Sequence, residues 1–459
     1  MYEAISIEDR NKPAVALCDR GFLADAGSAA SSRGLPGLRN VAAIWDDPTT
    51  EDTQKQVAAS MDDIVAALTR PLTREERSPA KEIPSPARIL FKGNLEEVNR
   101  FFYRQGYTDG LPIIPPTEEA VAEMLTGTDL PPGHIVEKLI PRLGWATVEK
   151  IAINAVMAGA LPTSMPLLIA TLHACVDPRA HFGTYGVSTG SWAPCLIVNG
   201  PVRNDLRINS GTGALSPGNI ANATIGRALG LMIKNIGGAR PGIEDMGVLG
   251  NPMKYSTVVA ENEEESPWEP LHVERGLKRE DSAVTVFFPN SFNQSQAYRT
   301  DDEGILKGII YNIPPEGRGL TCFVLIPAHA RALASKGWTK KDITAFVCEY
   351  ARAPLSHFPG GGGEGGSVSA GPAELPGIGQ QDKLALRWKD MPEVSMSVFR
   401  SPEWLRVIVA GGMRGFIGMI RGGKTTGYDR WVTKKIELPA NWDKLVEKYR
   451  SVVPAYIEY

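Results

Sequence analysis

Pro13-Ala14-Val15-Ala16-Leu17-Cys18, then Phe22 to Arg33, then Val41-Ala42-Ala43-Ile44-Trp45: this stretch decides the fold class. The first segment is a short β-type run. The second is an Ala/Ser-rich helix candidate that Gly34 closes. The third is another apolar run. Thr49 and Asp52 then form a capping-box pattern before Val57, Met61, Ile64, Val65 and Leu68, which recur at helical spacing. The order β-α-β-α is the grammar of an open parallel sheet, hence an α/β fold. Met1 to Glu8 reads as the later part of a helix leading into the first strand. Two strands and two helices are too few to cover such a sheet. The expectation is a partial parallel α/β domain over residues 1–70, entered mid-domain.

Outward from this stretch, Pro71 to Gly93 has prolines, mixed charges and no apolar period, the signs of a linker. Asn94 and Glu97 cap a helix from Leu95 to Gln105 that Gly106 stops. Residues 94–459 read as one large α/β or α+β domain. Its strands are expected at Pro194 to Asn199, Ser282 to Phe288, Gly319 to Ile326 and Trp431 to Leu438. Ser216-Pro217 reads as N-cap and first position of a helix reaching Asn235. Ala328 to Lys336 and Thr339 to Arg352 read as a helix pair. Residues 359–377, rich in Gly, Ser, Ala and Pro, form a loop within this domain.

The composition is that of a globular protein, 43% hydrophobic and 22% charged, with a net charge of -3. No basic stripe points to nucleic acid or an anionic membrane. Ile151 to Val176 is long and apolar, but Asn154, Pro162, Thr163, Ser164 and Pro166 break it, so two buried helices explain it better than a bilayer span. Five scattered cysteines without C-x-x-C spacing fit free thiols in a reducing cytoplasm.

The chemistry-bearing stretch is Ala260 to Gly276, AENEEESPWEPLHVERG. Carboxylates mixed with Trp268, Leu271, His272 and Arg275 suggest a polar cluster packed on a scaffold, as binding and catalytic sites are built. Glu261, Glu263, Glu264, Glu265 and His272 could bind a hard metal, or two of them could pair as acid and base. A salt-bridged polar loop explains them equally well. His272-Val273-Glu274 has the spacing of zinc deaminases without their P-C-x-x-C. Gly418 to Thr425 formally fits a P-loop, but too little chain follows; a glycine-rich turn carrying Arg421 and Lys424 is the better reading. Ile208 to Asn219 is a small-residue loop opening the helix of Asn222 and Arg227. With Asn209, Ser210, Thr212 and Ser216 it could hold an anion or carboxylate. Asp109, in a proline-rigid segment, could add a carboxylate.

Several of these pieces together resemble the UGSC family of (seleno)proteins. They are Asp109-Gly110-Leu111-Pro112, Glu149-Lys150 with Asn154 to Gly159, Asn199-Gly200-Pro201, Ile208 to Gly211, Asn222 to Ala228, Gly237 to Gly242, and the run 260–276. Gly34 to Arg39 is similar to a part of that family's smaller α/β domain. The resemblance implies a thiol- or selenol-based oxidoreductase whose redox motif is Sec-Gly-Ser-Cys or Cys-Gly-Ser-Cys. This sequence lacks the motif, which in the family stands just before the helix that Met1 to Ile5 resembles. One expectation is therefore a selenoprotein gene read from an internal Met after a UGA codon. A misplaced start in a Cys-containing gene, or a true loss, are the alternatives; the upstream DNA decides.

On this reading Glu261, Glu263, Glu264, His272, Glu274 and Arg275 position or protonate a small-molecule substrate. Asp109, Asn209, Ser210, Asn222, Arg227 and Trp268 bind it. The cofactor expected is the selenocysteine or cysteine motif, with a thiol reductant as partner; a metal and a homo-oligomer are both compatible with the sequence. The alternatives are a carboxylate/His metal-dependent hydrolase or lyase within residues 94–459, and a non-catalytic partner subunit.

Overall fold

The computed structural model describes residues 2–8, 10–32, 34–43, 50–73, 87–314, 319–354, 395–413, 415–422 and 430–452. The loop 359–377, Thr49 and Lys424 lie outside them. The chain forms an α/β structure in two compact units: Met1–Trp192 with Thr224–Ser256 and Leu438–Tyr449, and Ala193–Ala223 with Thr257–Glu437 and Arg450–Tyr459. This division does not follow the composition break at 71–93. Chain crossings at 192/193, 223/224, 256/257 and 437/438 carry no local signature.

In the first unit β1 (Val15–Asp19) and β2 (Arg39–Ala43) pair in parallel, as the β-α-β pattern requires. The helix Leu23–Ser32 joins them, and Ala4, Ile5, Ala14, Ala16, Ala30 and Leu38 share one small core. Arg39 Nη1 donates to Ala67 O (3.0 Å) and Arg70 O (2.6 Å), so a cation closes the C-terminal end of the helix Thr50–Thr69 where the helix dipole is negative. β3 (Ile135–Leu139) and β4 (Gly144–Thr147) form an antiparallel pair. The long apolar stretch becomes two helices, Val148–Ala158 and Met165–Val176. Gly159 ends the first at φ 82°, a left-handed position that glycine tolerates. Among the described residues no helix is long and apolar enough to cross a membrane.

The second unit holds two mixed four-stranded sheets. One contains β5 (Cys195–Asn199), β6 (Val258–Ala260), β7 (Ala283–Phe287) and β14 (Val432–Lys435), in the order β14-β7-β5-β6. The other contains β8 (Ser291–Gln296), β9 (Thr321–Leu325), β12 (Leu405–Val409) and β13 (Phe416–Arg421), in the order β12-β9-β13-β8. A short antiparallel pair, β10 (Arg352–Pro354) and β11 (Ser395–Ser397), stands apart. β5, β7 and β9 are buried at every position, which is why they read as unbroken apolar runs rather than as alternation.

Two local expectations change. The helix expected from Ser216-Pro217 begins at Ile220. Gly218 sits at φ 127° and ends the preceding turn, and Asn219 Oδ1 accepts the Asn222 amide (3.1 Å), acting as the cap. The glycine-rich turn expected to carry Arg421 does not include it: Gly418 to Arg421 belong to strand β13, paired to both β8 and β9, which agrees with setting the P-loop reading aside.

Candidate functional site

Parallel strands β5 and β6 run in register, Val198 opposite Ala260. The next residues along, Asn199 at the end of β5 and Glu261 just after β6, therefore stand side by side. Glu261 is fully buried, and a buried carboxylate needs several partners. It accepts from Asn199 Nδ2 (2.8 Å), the Leu271 amide (2.8 Å) and Lys340 Nζ (2.9 Å). Asn199 Nδ2 also reaches Glu263 (3.1 Å), which accepts the Gly200 amide at 2.7 Å.

Arg203 is the second buried cation. Its Nη1 donates to Glu261 O (2.7 Å), and its fork meets Glu264 at 2.9 and 3.2 Å. Its Nε lies 3.1 Å from Glu263. Burial would raise the Glu264 carboxyl, but hydrogen bonds from Arg203 and Asn204 outweigh it and bring it down to about 2. A depressed folded value stabilises above the ordinary 4.5 and is lost as pH falls toward about 2. Carbonyl NMR should find Glu264 ionised at pH 3.5, about one unit below its ordinary value, and Glu264→Gln should soften the acid limb of stability. An ordinary titration near 4.5 would remove this clamp from the account.

Glu261, Glu263 and Glu264 are thus engaged by lysine, arginine and asparagine. Among the described residues no group of three or more His, Cys, Asp or Glu is placed to hold a metal. His272 sits in the short helix Leu271–Glu274 with its ring fully buried. Its Nδ1 has no hydrogen-bond partner among the described residues and lies 4.0 Å from Glu263. Trp268, expected to bind substrate, donates Nε1 to Trp338 O (2.9 Å) and packs on an apolar core.

Glu274, two residues after His272 and so on the opposite face of that turn, lines a cavity of about 530 Å³ with Arg275, Lys340, Lys341, Thr344, Glu403 and Arg406. Burial raises the Glu274 carboxyl and Glu261 adds to the rise, while Lys340 opposes it. Burial would lower Lys340, but Glu261 and Glu274 outweigh it and hold the ammonium above its usual range. Lys340 Nζ stands 3.4 Å from Glu274 and also donates to Glu269 O (2.7 Å). An acid of raised pKa beside a buried lysine, in a cavity with further cations, can hold an anion and deliver a proton.

The remaining expected residues separate. Asn222 Oδ1 accepts the Asn209 amide (2.8 Å), and its Nδ2 donates to Asn209 O, Ala214 O and Val258 O. Asn209 bonds Gly211 N and Thr212 O, and Ser210 O accepts the Gly411 amide (2.8 Å). These groups tie the small-residue loop together rather than present an open anion cradle. Past them, Thr212 and Ser216 do line a cavity of about 500 Å³ with Gln294, Phe292 and Phe416. Arg227, in the first unit, forms a two-bond pair with Asp109 (2.8 and 3.0 Å) and donates to Pro112 O, so its guanidinium is committed to the proline-rich segment.

Lys340, Arg203 and Arg406 were not singled out in the sequence, and Asn199 stood out only as part of the Asn199-Gly200-Pro201 piece of the resemblance. One signal existed: Lys340 is the first residue of its helix, where a cation opposes the helix dipole. All five cysteines are free, and burial raises every one of these thiols, Cys175 to about 12. None has the electropositive, accessible setting of a reactive thiolate. Comparison with protein-family models, curated proteins and solved structures gives no match.

Proposed function

We propose that this chain works as an oxidoreductase of the UGSC kind, in which the Glu274 cavity holds a small anionic substrate. Its thiol or selenol comes from a Sec/Cys-Gly-Ser-Cys motif outside the five cysteines described. The motif's thiol or selenol attacks a substrate disulfide and releases one substrate thiol; the motif's second thiol then releases the other, closing a disulfide or selenenylsulfide, so two electrons and two protons pass to the substrate. Glu274, whose carboxyl burial raises, gives its proton to the departing group. Arg275, Lys341 and Arg406 attract the substrate's negative charge. Lys340 holds Glu274 in place and becomes its counter-ion after proton transfer.

The observation that carries this reading is the raised Glu274 carboxyl beside Lys340 in a cation-lined cavity. The resemblance supports it further. Asn199-Gly200 and the run 260–276 are sixty residues apart, yet they meet in one hydrogen-bonded network. The test supplies a Cys-Gly-Ser-Cys peptide as dithiol and a panel of small carboxylate-bearing disulfides as oxidants. Disulfide reduction above the uncatalysed rate is expected, with activity falling as pH rises through the raised Glu274 value. Glu274→Gln should lower kcat by roughly 10²-fold and abolish that pH limb. Rates equal to buffer, or a Glu274→Gln variant as active as the parent, would sink the proposal.

A further inference from the structure

In the second unit, the helices Asp302–Ile310 and Lys340–Tyr350 border a recess of about 400 Å³ that shares no lining residue with the Glu274 cavity. Tyr311, Trp338, Phe346 and Tyr350 line it, together with Asp302, Glu303 and Lys307. Trp338 and Phe346 stand nearly perpendicular, at 81° with centroids 5.2 Å apart, and form a corner. Phe346 and Tyr350 continue the wall at 4.4 Å. Trp338 and Phe346 back onto the apolar core, but Tyr311 and Tyr350 are 64% and 56% exposed, so core packing does not explain them.

The charges follow a pattern. Glu303 is matched by Arg299 (2.8 Å) and Lys307 (2.5 Å). Asp302 has no ion-pair partner among the described residues; it accepts Trp338 Nε1 (3.0 Å), which fixes the indole. The lining therefore combines aromatic rings, the Glu303–Lys307 pair whose charges cancel, and Asp302, which feels Lys336 electrostatically but makes no ion pair among the described residues. An inorganic cation or a primary ammonium is strongly hydrated and gains little from rings. A quaternary ammonium is weakly hydrated and spreads its charge over methyl groups, which suits aromatic walls.

We propose that this recess binds a quaternary ammonium group, with Tyr311, Trp338, Phe346 and Tyr350 as its walls and Asp302 as its counter-ion. The site is independent of the Glu274 cavity, and either proposal can fail without the other. The test titrates the full chain by calorimetry with choline, with its neutral isostere 3,3-dimethylbutan-1-ol, and with a trimethyl-lysine peptide. The charged ligands should bind about tenfold or more tighter than the isostere. Tyr311→Ala and Tyr350→Ala, at exposed positions, should each weaken choline by about fivefold, with thermal unfolding measured alongside to confirm that each variant is folded. Asp302→Asn should weaken choline and leave the isostere unaffected. Choline binding as tightly as the peptide points to a free small cation, and a strong preference for the peptide points to a modified side chain; both uphold the recognition chemistry. Equal binding of choline and isostere, or no saturation by choline or peptide up to ~10 mM, overturns it.

Discussion

Lys340→Met should destabilise the second unit by about 3–5 kcal/mol, the cost of breaking a buried ion pair from one side. Lys340 is 6% exposed and Glu261 is fully enclosed. Among the described residues, removing the ammonium leaves the Glu261 carboxylate with the Asn199 and Leu271 donors. It also removes the counter-charge from Glu274, whose carboxyl should rise further. Urea unfolding of the parent and variant measures the loss. If the single variant does not fold, Lys340→Met with Glu261→Gln keeps the question open to measurement, because the neutral amide needs no cation. Partial recovery in the pair is expected. A single variant with an unchanged midpoint would mean that Glu261 is not held as an ion by Lys340.

Arg203→Met should cost a similar amount, about 3–5 kcal/mol, since Arg203 is 4% exposed and faces both Glu263 and Glu264. It also donates to Gly200 O and Glu261 O, so the turn after β5 and the run after β6 are tied through this one side chain. Arg203→Lys should recover little of the loss. One ammonium cannot reproduce a planar fork serving carbonyls and carboxylates at once. Glu264 is 57% exposed, so Glu264→Gln alone should cost no more than about 1 kcal/mol. A double-mutant cycle separates the two parts. If Glu264→Gln proves as damaging as Arg203→Met, the carboxylate is the anchor and the backbone contacts are secondary.

The bracing was legible in the sequence only in halves. Ala260 to Gly276 stands out because carboxylates, Trp268 and His272 sit together. Arg203 and Lys340 are single cations about sixty and eighty residues away, and nothing local marks either as a partner of Glu261. Asn154 illustrates the same limit: it is buried in an apolar helix, and the donor that satisfies it, Asn235 Nδ2 (2.8 Å), lies 81 residues on. His272 shows the reverse case. Its residue type suggests chemistry, yet its position in the turn points it inward, while Glu274 on the other face meets the cavity.

What the sequence determined by itself rests on local physics. Alternating apolar runs and helical periodicity specify the parallel pair β1–β2. Side chains that satisfy exposed amides specify helix starts, as the capping boxes at Asn94 and Thr339 do. Continuous apolar runs specify strands buried on both faces. Tertiary structure decided which charges are structural and which face a cavity. That choice depends on the register of β5 against β6, on where the helix Lys340–Tyr350 begins, and on the removal of water around Glu261. A carboxylate is solvated or paired according to what surrounds it in space, and neighbours along the chain do not carry that information.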